Sequence, residues 1–460
     1  MAEHDVIVIG AGPAGEHCAG QLADEGLDVA LVERELIGGE CAYWACMPSK
    51  ALLRPAELLA EVQRVPGARE TVTRALDPVA VLHRRDEVIH GLDDATQLPW
   101  VRERDITLYR GQGRLDGERR VIVGGQSHAA RRAVVIATGS GAAIPPVPGL
   151  REIAPWTNRQ ATTAETAPRS LAVLGGGAVG CELAQAWASL GAAVTLVEAG
   201  PRLLADEEPF AGEELARSLR DGGVDVRLGA EVVRAERTGA GTFTLTLAGV
   251  DAGEPIASDE LLVAMGRTPH TDELGLETVG LEPGATIPVD AHMRVTAPTH
   301  PDWLYAIGDV NGRALLTQAA KYQARIAAAT ISNREAEAAW DGELAPRVVF
   351  SEPQIAAVGR TLEQALDRGV AARAVDARMD LTPGASFNGK GACSQCRIVI
   401  DEAREVMIGA TFTGPAVAES LHAATIAIVG EVPLRRLVHA MPAFPTRSEV
   451  WLRLLDPWMP

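Results

Sequence analysis

The sequence predicts an α/β fold with two doubly wound, Rossmann-like domains and a smaller C-terminal α+β domain. Three observations predict it. The segment DVIVIGAGPAGEHCAGQLADEGLDVALVE runs from Asp5 to Glu33, and SLAVLGGGAVGCELAQAWASLGAAVTLVE from Ser170 to Glu198. In each, an apolar strand meets G-x-G-x-x-G, an Ala-rich helix follows, and a second apolar strand ends on glutamate. From about Pro346 the character changes: RVVFSEP, CRIVID and VMIGATF alternate with helical stretches such as AESLHAATIAIVG.

The glycines carry the chemistry. Gly10, Gly12 and Gly15 in the first unit, and Gly175, Gly177 and Gly180 in the second, let backbone approach a pyrophosphate at a helix N-terminus. Glu33 and Glu198, ~20 positions on, are placed to hold a ribose 2′-OH. Two complete units imply two dinucleotides. Between them VVIATGSGAAIPPVPG, from Val134 to Gly149, reads as a buried strand that Gly and Pro break into a crossover. ELLVAMGRTPH repeats the strand-then-glycine pattern, WLYAIGDV is a strand ending in Gly308-Asp309, and REAEAAWDGELA (334–345) is a connector. The expected domains are residues 1–150 and 273–345 for the first nucleotide, 151–272 for the second, and 346–460 for the α+β domain.

Apolar residues make up 47% of the 460, and the net charge is −18. That charge opposes binding to nucleic acid or to anionic membranes. No apolar run reaches the ~20 residues that span a bilayer. The chain opens MAEHDVIVIGAG, without a basic-then-apolar leader, so a cytoplasmic location is expected. Six cysteines occur, and in a reducing compartment a cysteine pair is more often catalytic or metal-binding than structural. Cys41 and Cys46 stand in GGECAYWACMPSK beside Lys50, one of three lysines (with Lys321 and Lys390) among 43 Lys and Arg. A pair at this spacing can close a ring on the first turns of a helix, where dipole and ammonium favour thiolate.

Cys18 and Cys181 are expected to pack in the core, and His17, His83, His90 and His422 to be surface or satisfied core residues. Cys393 and Cys396 leave two readings open, an inert pair or a second dithiol that relays electrons. No metal site is expected, since two ligands cannot complete a tetrahedral zinc.

Taken in order, GxGPAG, GGECAYWACMPSK, ATGS (Ala137 to Ser140), GGGAVGCE, GRTP and YAIGD resemble the FAD-dependent pyridine nucleotide–disulfide oxidoreductases along essentially the whole chain. Dihydrolipoyl dehydrogenase, glutathione reductase and mercuric reductase belong to that family. The resemblance implies FAD in the first domain, NAD(P) in the second, and a homodimer formed through the C-terminal domain. It implies that Gly10, Gly12, Gly15, Glu33, Gly39, Lys50, Gly113, Thr138, Gly139, Asp309, Thr317 and Gln318 serve FAD. It likewise assigns Gly175, Gly177, Gly180 and Glu198 to the nicotinamide cofactor, and counts Gly266 and Arg267 among the cofactor-binding residues. A carboxylate at Glu198 favours NAD(H) over NADP(H), although Arg202 lies close in sequence. By the same resemblance electrons pass from NADH through flavin and a Cys41–Cys46 disulfide to a small acceptor. Cys46 is then the flavin-side thiol, Cys41 the interchange thiol, and Lys50 and Glu182 an ion pair beside the rings. Lys321 and Tyr322 are expected on a helix flanking the flavin.

One departure stands out. Family disulfide reductases carry a C-terminal His-Pro-Thr and then Glu, whose His is the partner subunit's acid/base. Here the stretch reads MPAFPTRSE, with Phe444 at the His position and Glu449 at the Glu position. Phenylalanine cannot move a proton, and recruiting His439 would break the family spacing. Mercuric reductases also lack that His but carry a C-terminal cysteine pair, whereas this chain ends RLLDPWMP. The expected function is NADH-dependent reduction of a disulfide-type acceptor. The alternatives are direct flavin-mediated reduction of quinones or metal ions, or dihydrolipoyl dehydrogenase activity.

Overall fold

The computed structural model describes residues 2–239, 241–251, 253–296, 302–392 and 394–459. Its contacts divide into two compact units. The first comprises residues 1–48, 86–143 and 267–345. Its sheet is ordered Thr107–Arg110, Val29–Glu33, Ala2–Ile9, Gln126–Ile136, Arg120–Val123, Gly113–Leu115, and Leu304–Ala306 also pairs with Gln126–Ile136. Val29–Glu33, Ala2–Ile9, Gln126–Ile136 and Leu304–Ala306 run parallel, in register Val6↔Val29, Ile7↔Val134 and Tyr305↔Val135. Sheets of this kind are buried on both faces. On one side Cys18, Ala19 and Leu22 of helix Pro13–Asp24 join Ala324, Ala327 and Ala328 of helix Thr317–Ile331. On the other, Ile7, Ile9, Val134, Ile136 and Leu304 form a second apolar layer. The small side chains between the two helices let their backbones approach, as the Ala-rich sequence requires.

The second unit comprises residues 49–85, 144–266 and 346–460. Its parallel sheet is ordered Asp225–Leu228, Ala193–Glu198, Ser170–Leu174, Glu260–Val263. Helix Ala178–Ser189 buries Cys181, Leu183 and Trp187 against it. Ala230–Arg237, Phe243–Gly249 and Ile256–Ser258 form an antiparallel layer. The C-terminal part is an antiparallel sheet, Arg347–Val349, Gln354–Gly359, Val406–Gly414, Gln395–Asp401, Ala372–Arg378, with helix Leu421–Val429 packed beside it. The mixed α/β class and the α+β C-terminal part agree with the expectation from sequence.

Helix Cys46–Arg64 belongs to both units along its own length, since the chain passes from one to the other after Pro48. No helix among the described residues is long and apolar enough to cross a membrane.

Candidate redox site

The two glycine turns are built alike. A Cβ on Gly15 would lie 1.8 Å from the Gly10 carbonyl oxygen, and one on Gly180 would lie 1.9 Å from that of Gly175. Each helix therefore rides against its own turn, which only glycine allows. The middle glycines differ: a Cβ on Gly12 or Gly177 would meet no protein atom within 4 Å. Both are N-cap residues with no side-chain cap, so the first N–H groups of their helices face open space. That open cradle fits a pyrophosphate.

The acidic residues match as well. Glu33 accepts the Ala11 N–H (2.7 Å) on one carboxylate oxygen and the Glu35 N–H (2.7 Å) on the other. Glu198 accepts from Gly176 and Gly200, both at 2.6 Å. Each carboxylate thus pins its glycine turn to the end of the second strand, and each oxygen keeps a lone pair for a ribose hydroxyl. Burial pushes the Glu33 carboxyl above its ordinary range. A cavity of about 60 Å³ beside Glu33 is lined by Gly10, Gly113 and Thr138 among others. Arg202 turns its guanidinium to the Ala205 carbonyl (2.7 Å).

Farther along the first unit, Asp309 accepts from the Ser140 hydroxyl at 2.5 Å, and Arg267 donates to Ser140 at 2.7 Å while standing 3.6 Å from Asp309. Gly139 adopts φ +69° and its carbonyl receives the His270 N–H. Gly266, at φ +127°, directly precedes Arg267. The structure therefore joins Arg267 to Asp309 through Ser140.

The cysteines do not share the first turns of one helix, as the spacing suggested. Cys41 lies in a short helix, Gly39–Tyr43, that ends at Trp44 (φ −133°), and Cys46 opens helix Cys46–Arg64. Gly39, at φ +57°, sits so near the nucleotide turn that a Cβ there would be 2.8 Å from the Gly12 Cα. The cysteine-bearing loop is thereby fastened to the glycine turn. Both cysteines are in the thiol form. The Thr317 hydroxyl donates to Cys41 Sγ at 3.1 Å and lies 3.7 Å from Cys46 Sγ, where either atom can donate. Thr317 is the first residue of helix Thr317–Ile331 and Gln318 the second, so two helix N-termini converge near the thiols. A hydrogen bond to Cys46 and burial hold the Cys41 thiol well above its ordinary range, and Thr317 and Lys321 pull it down.

In the second unit Lys50 Nζ donates to Glu182 at 2.7 Å and lies 5.0 Å from the Phe350 ring centroid. Glu182, buried, also accepts from the Ser49 hydroxyl (3.2 Å) and the Phe350 N–H (2.8 Å). Lys50 stands one turn after Cys46 on the same helix, the spacing at which side chains share a face.

Phe444 is 75% exposed, and Glu449 has a buried carboxylate oxygen with no hydrogen-bond partner among the described residues. Cys396 is buried, which pushes its thiol up. Cys393, the other half of that pair, lies outside the described residues. Cys18 and Cys181 are fully buried in apolar surroundings; burial raises both thiols, Cys18 to about 12. Sequence reasoning missed Thr317 as a thiol partner, and it missed Phe350 and Ser49 on Glu182.

Comparison with known proteins identifies the family. Residues 4–324 match the pyridine nucleotide-disulphide oxidoreductase family, and residues 345–454 match its dimerisation domain, which supports a homodimer. The chain is 34% identical to dihydrolipoyl dehydrogenase 3 of Pseudomonas aeruginosa over 470 aligned residues, covering 98% of this chain and 96% of the relative. It is 32% identical to a mercuric reductase of Shigella flexneri, covering 96% of this chain and 79% of that one. Among solved structures, the Cu(II) complex of the HOCl-induced flavoprotein disulfide reductase RclA from Escherichia coli superposes with TM-score 0.85 at 26% identity, covering 100% of both chains. With its two dinucleotide cradles, its dithiol loop and its dimerisation domain, the chain belongs to the pyridine nucleotide-disulphide oxidoreductases and is an FAD-dependent NAD(P)H oxidoreductase.

Proposed function

We propose that the enzyme uses NADH to reduce a small disulfide-type acceptor, with Cys41 and Cys46 as the dithiol that gives up the electrons. The observation that carries this reading is the convergence of both thiols on the Thr317 hydroxyl between two helix N-termini. The helix N-termini and the Thr317 hydroxyl work toward the thiolate, the nucleophile in thiol–disulfide exchange, against the burial that opposes it. NADH, one proton and the disulfide give NAD⁺ and two thiols.

FAD, when bound, supplies the step from two-electron nicotinamide chemistry to the thiol pair. Gly10, Gly12 and Gly15 receive its pyrophosphate, Glu33 its ribose, and Gly39, Gly113, Thr138, Gly139, Asp309, Thr317 and Gln318 line the remainder. Gly175, Gly177, Gly180, Glu198 and Gly266 hold the nicotinamide cofactor, and Arg267 acts with Asp309. Lys50, held by Glu182, keeps a positive charge where electron density builds up. Cys46 is the thiol on the flavin side, Cys41 the one that meets the acceptor, and Glu449 serves the site of the partner subunit. The chain divides functionally at residues 150, 272 and 345. Its acidic surface and sparse cysteines suit the cytoplasm.

The nicotinamide preference follows from Glu198. Its carboxylate accepts the Gly176 N–H at the glycine turn, and Arg202 donates to Ala205. A 2′-phosphate beside Glu198 would meet negative charge. Steady-state kinetics with NADH and NADPH, against low-molecular-weight disulfides, quinones and Hg²⁺, test both points. Disulfide turnover with kcat/KM at least ~10-fold higher for NADH is expected. Turnover with quinones or Hg²⁺ alone, or a preference for NADPH, contradicts the reading.

A further inference from the structure

The proton-transferring residue that family disulfide reductases place at position 444 is phenylalanine here, yet Cys41 must still be kept as thiolate to react. Helix Thr317–Ile331 offers another means. Thr317 touches Cys41, so the face carrying Thr317 is the one turned to the thiol. Lys321 lies four residues later, on that same face, and helical side chains lean toward the helix N-terminus. From that position a lysine side chain is long enough to reach back toward the thiol. The choice of residue is notable in a chain with three lysines among 43 cationic side chains.

The neighbouring charges leave that ammonium available. Helix Pro13–Asp24 packs along this one and presents Glu16 and His17. Burial pushes the Glu16 carboxyl up to about 7 against the pull of the Lys321 cation, so it is only partly ionised at neutral pH and competes for Lys321 less than an ordinary carboxylate would. His17 is held below its ordinary value by burial and by the Arg325 and Lys321 cations, and Arg325 Nε lies 3.3 Å from His17 Nε2. Neutral His17 neither competes for the thiolate nor adds charge. Cys46, Thr317 and Lys321 are thus the groups that act on Cys41 directly, with Glu16, His17 and Arg325 behind them.

We propose that Lys321 supplies the positive charge that stabilises the Cys41 thiolate as it forms, in place of an imidazolium at position 444. The proposal rests on Cys41 being the interchange thiol, and its test does not depend on turnover. The FAD-loaded enzyme, reduced, is alkylated with iodoacetamide across pH, and the modification of Cys41 is followed by mass spectrometry. The thiolate displaces iodide, so the rate follows the thiolate fraction.

Removing the cation raises the pKa of Cys41. Lys321→Met is expected to move the profile to higher pH, by about one unit, which is roughly a tenfold slower rate at neutral pH. Lys321→Arg is expected to restore the rate to within about twofold, because it keeps the charge. Lys321 is exposed, so both variants should fold and keep flavin. A Lys321→Met profile that superposes on the wild type overturns the proposal. So does a Lys321→Arg profile displaced as far as that of Lys321→Met, which would assign the effect to packing.

Discussion

Gly15→Ala is expected to give a chain that purifies without FAD. The added Cβ would lie 1.8 Å from the Gly10 carbonyl oxygen and 2.9 Å from its carbon, both backbone atoms, so no side-chain rotation relieves the overlap. Helix Pro13–Asp24 must then move away from the turn, and overpacking of this kind costs about 1–3 kcal/mol or more. The helix N-terminus leaves the place where the pyrophosphate sits, so FAD affinity should drop by at least ~100-fold, about 3 kcal/mol. Gly12→Ala separates the two parts of that effect. Its Cβ meets no protein atom within 4 Å and its φ of −74° suits alanine. The apo chain should keep its stability to within about 0.5 kcal/mol while FAD occupancy falls, because the methyl group fills the cradle. The flavin absorbance to protein ratio after purification, together with apo-protein melting curves, reads both variants.

Cys41→Ser is expected to lower disulfide turnover by at least ~10³-fold while direct reduction of a quinone survives. A serine hydroxyl stays protonated near neutral pH and does not attack a disulfide, and losing a nucleophile in other enzymes costs this much or more. The substitution is small and Cys41 is half-buried, so the fold and the FAD cradle should be unaffected. Equal losses with both acceptor types would place Cys41 in flavin binding instead.

Much of this was legible because the informative patterns are local. The turns at Gly10 and Gly175 announce themselves by glycine spacing between apolar strands, and the same spacing locates Glu33 and Glu198. What those glutamates do beyond a ribose was not legible: each also ties down two backbone N–H groups, which depends on how the turn folds back over the strand end. The Lys50–Glu182 pair was reached by resemblance, since 132 residues separate its members. The Phe350 N–H that completes Glu182's shell left no trace in the sequence, because any residue but proline could donate it. Thr317 was read as a flavin neighbour, and its contact with Cys41 spans 276 positions. The break at Trp44 between the two cysteines was missed because the apolar pattern of the loop continues through it.

The central claim is that the electrons leave through the Cys41–Cys46 pair. Anaerobic titration with NADH, followed by flavin absorbance, tests it most directly. A flavin and a disulfide each accept an electron pair, so the wild type should take up about twice as many electrons per flavin as Cys46→Ser. The wild type alone should also develop a long-wavelength thiolate–flavin charge-transfer band. Equal uptake by the two proteins, with the band present in both or in neither, would contradict the claim and leave the flavin as the sole redox centre.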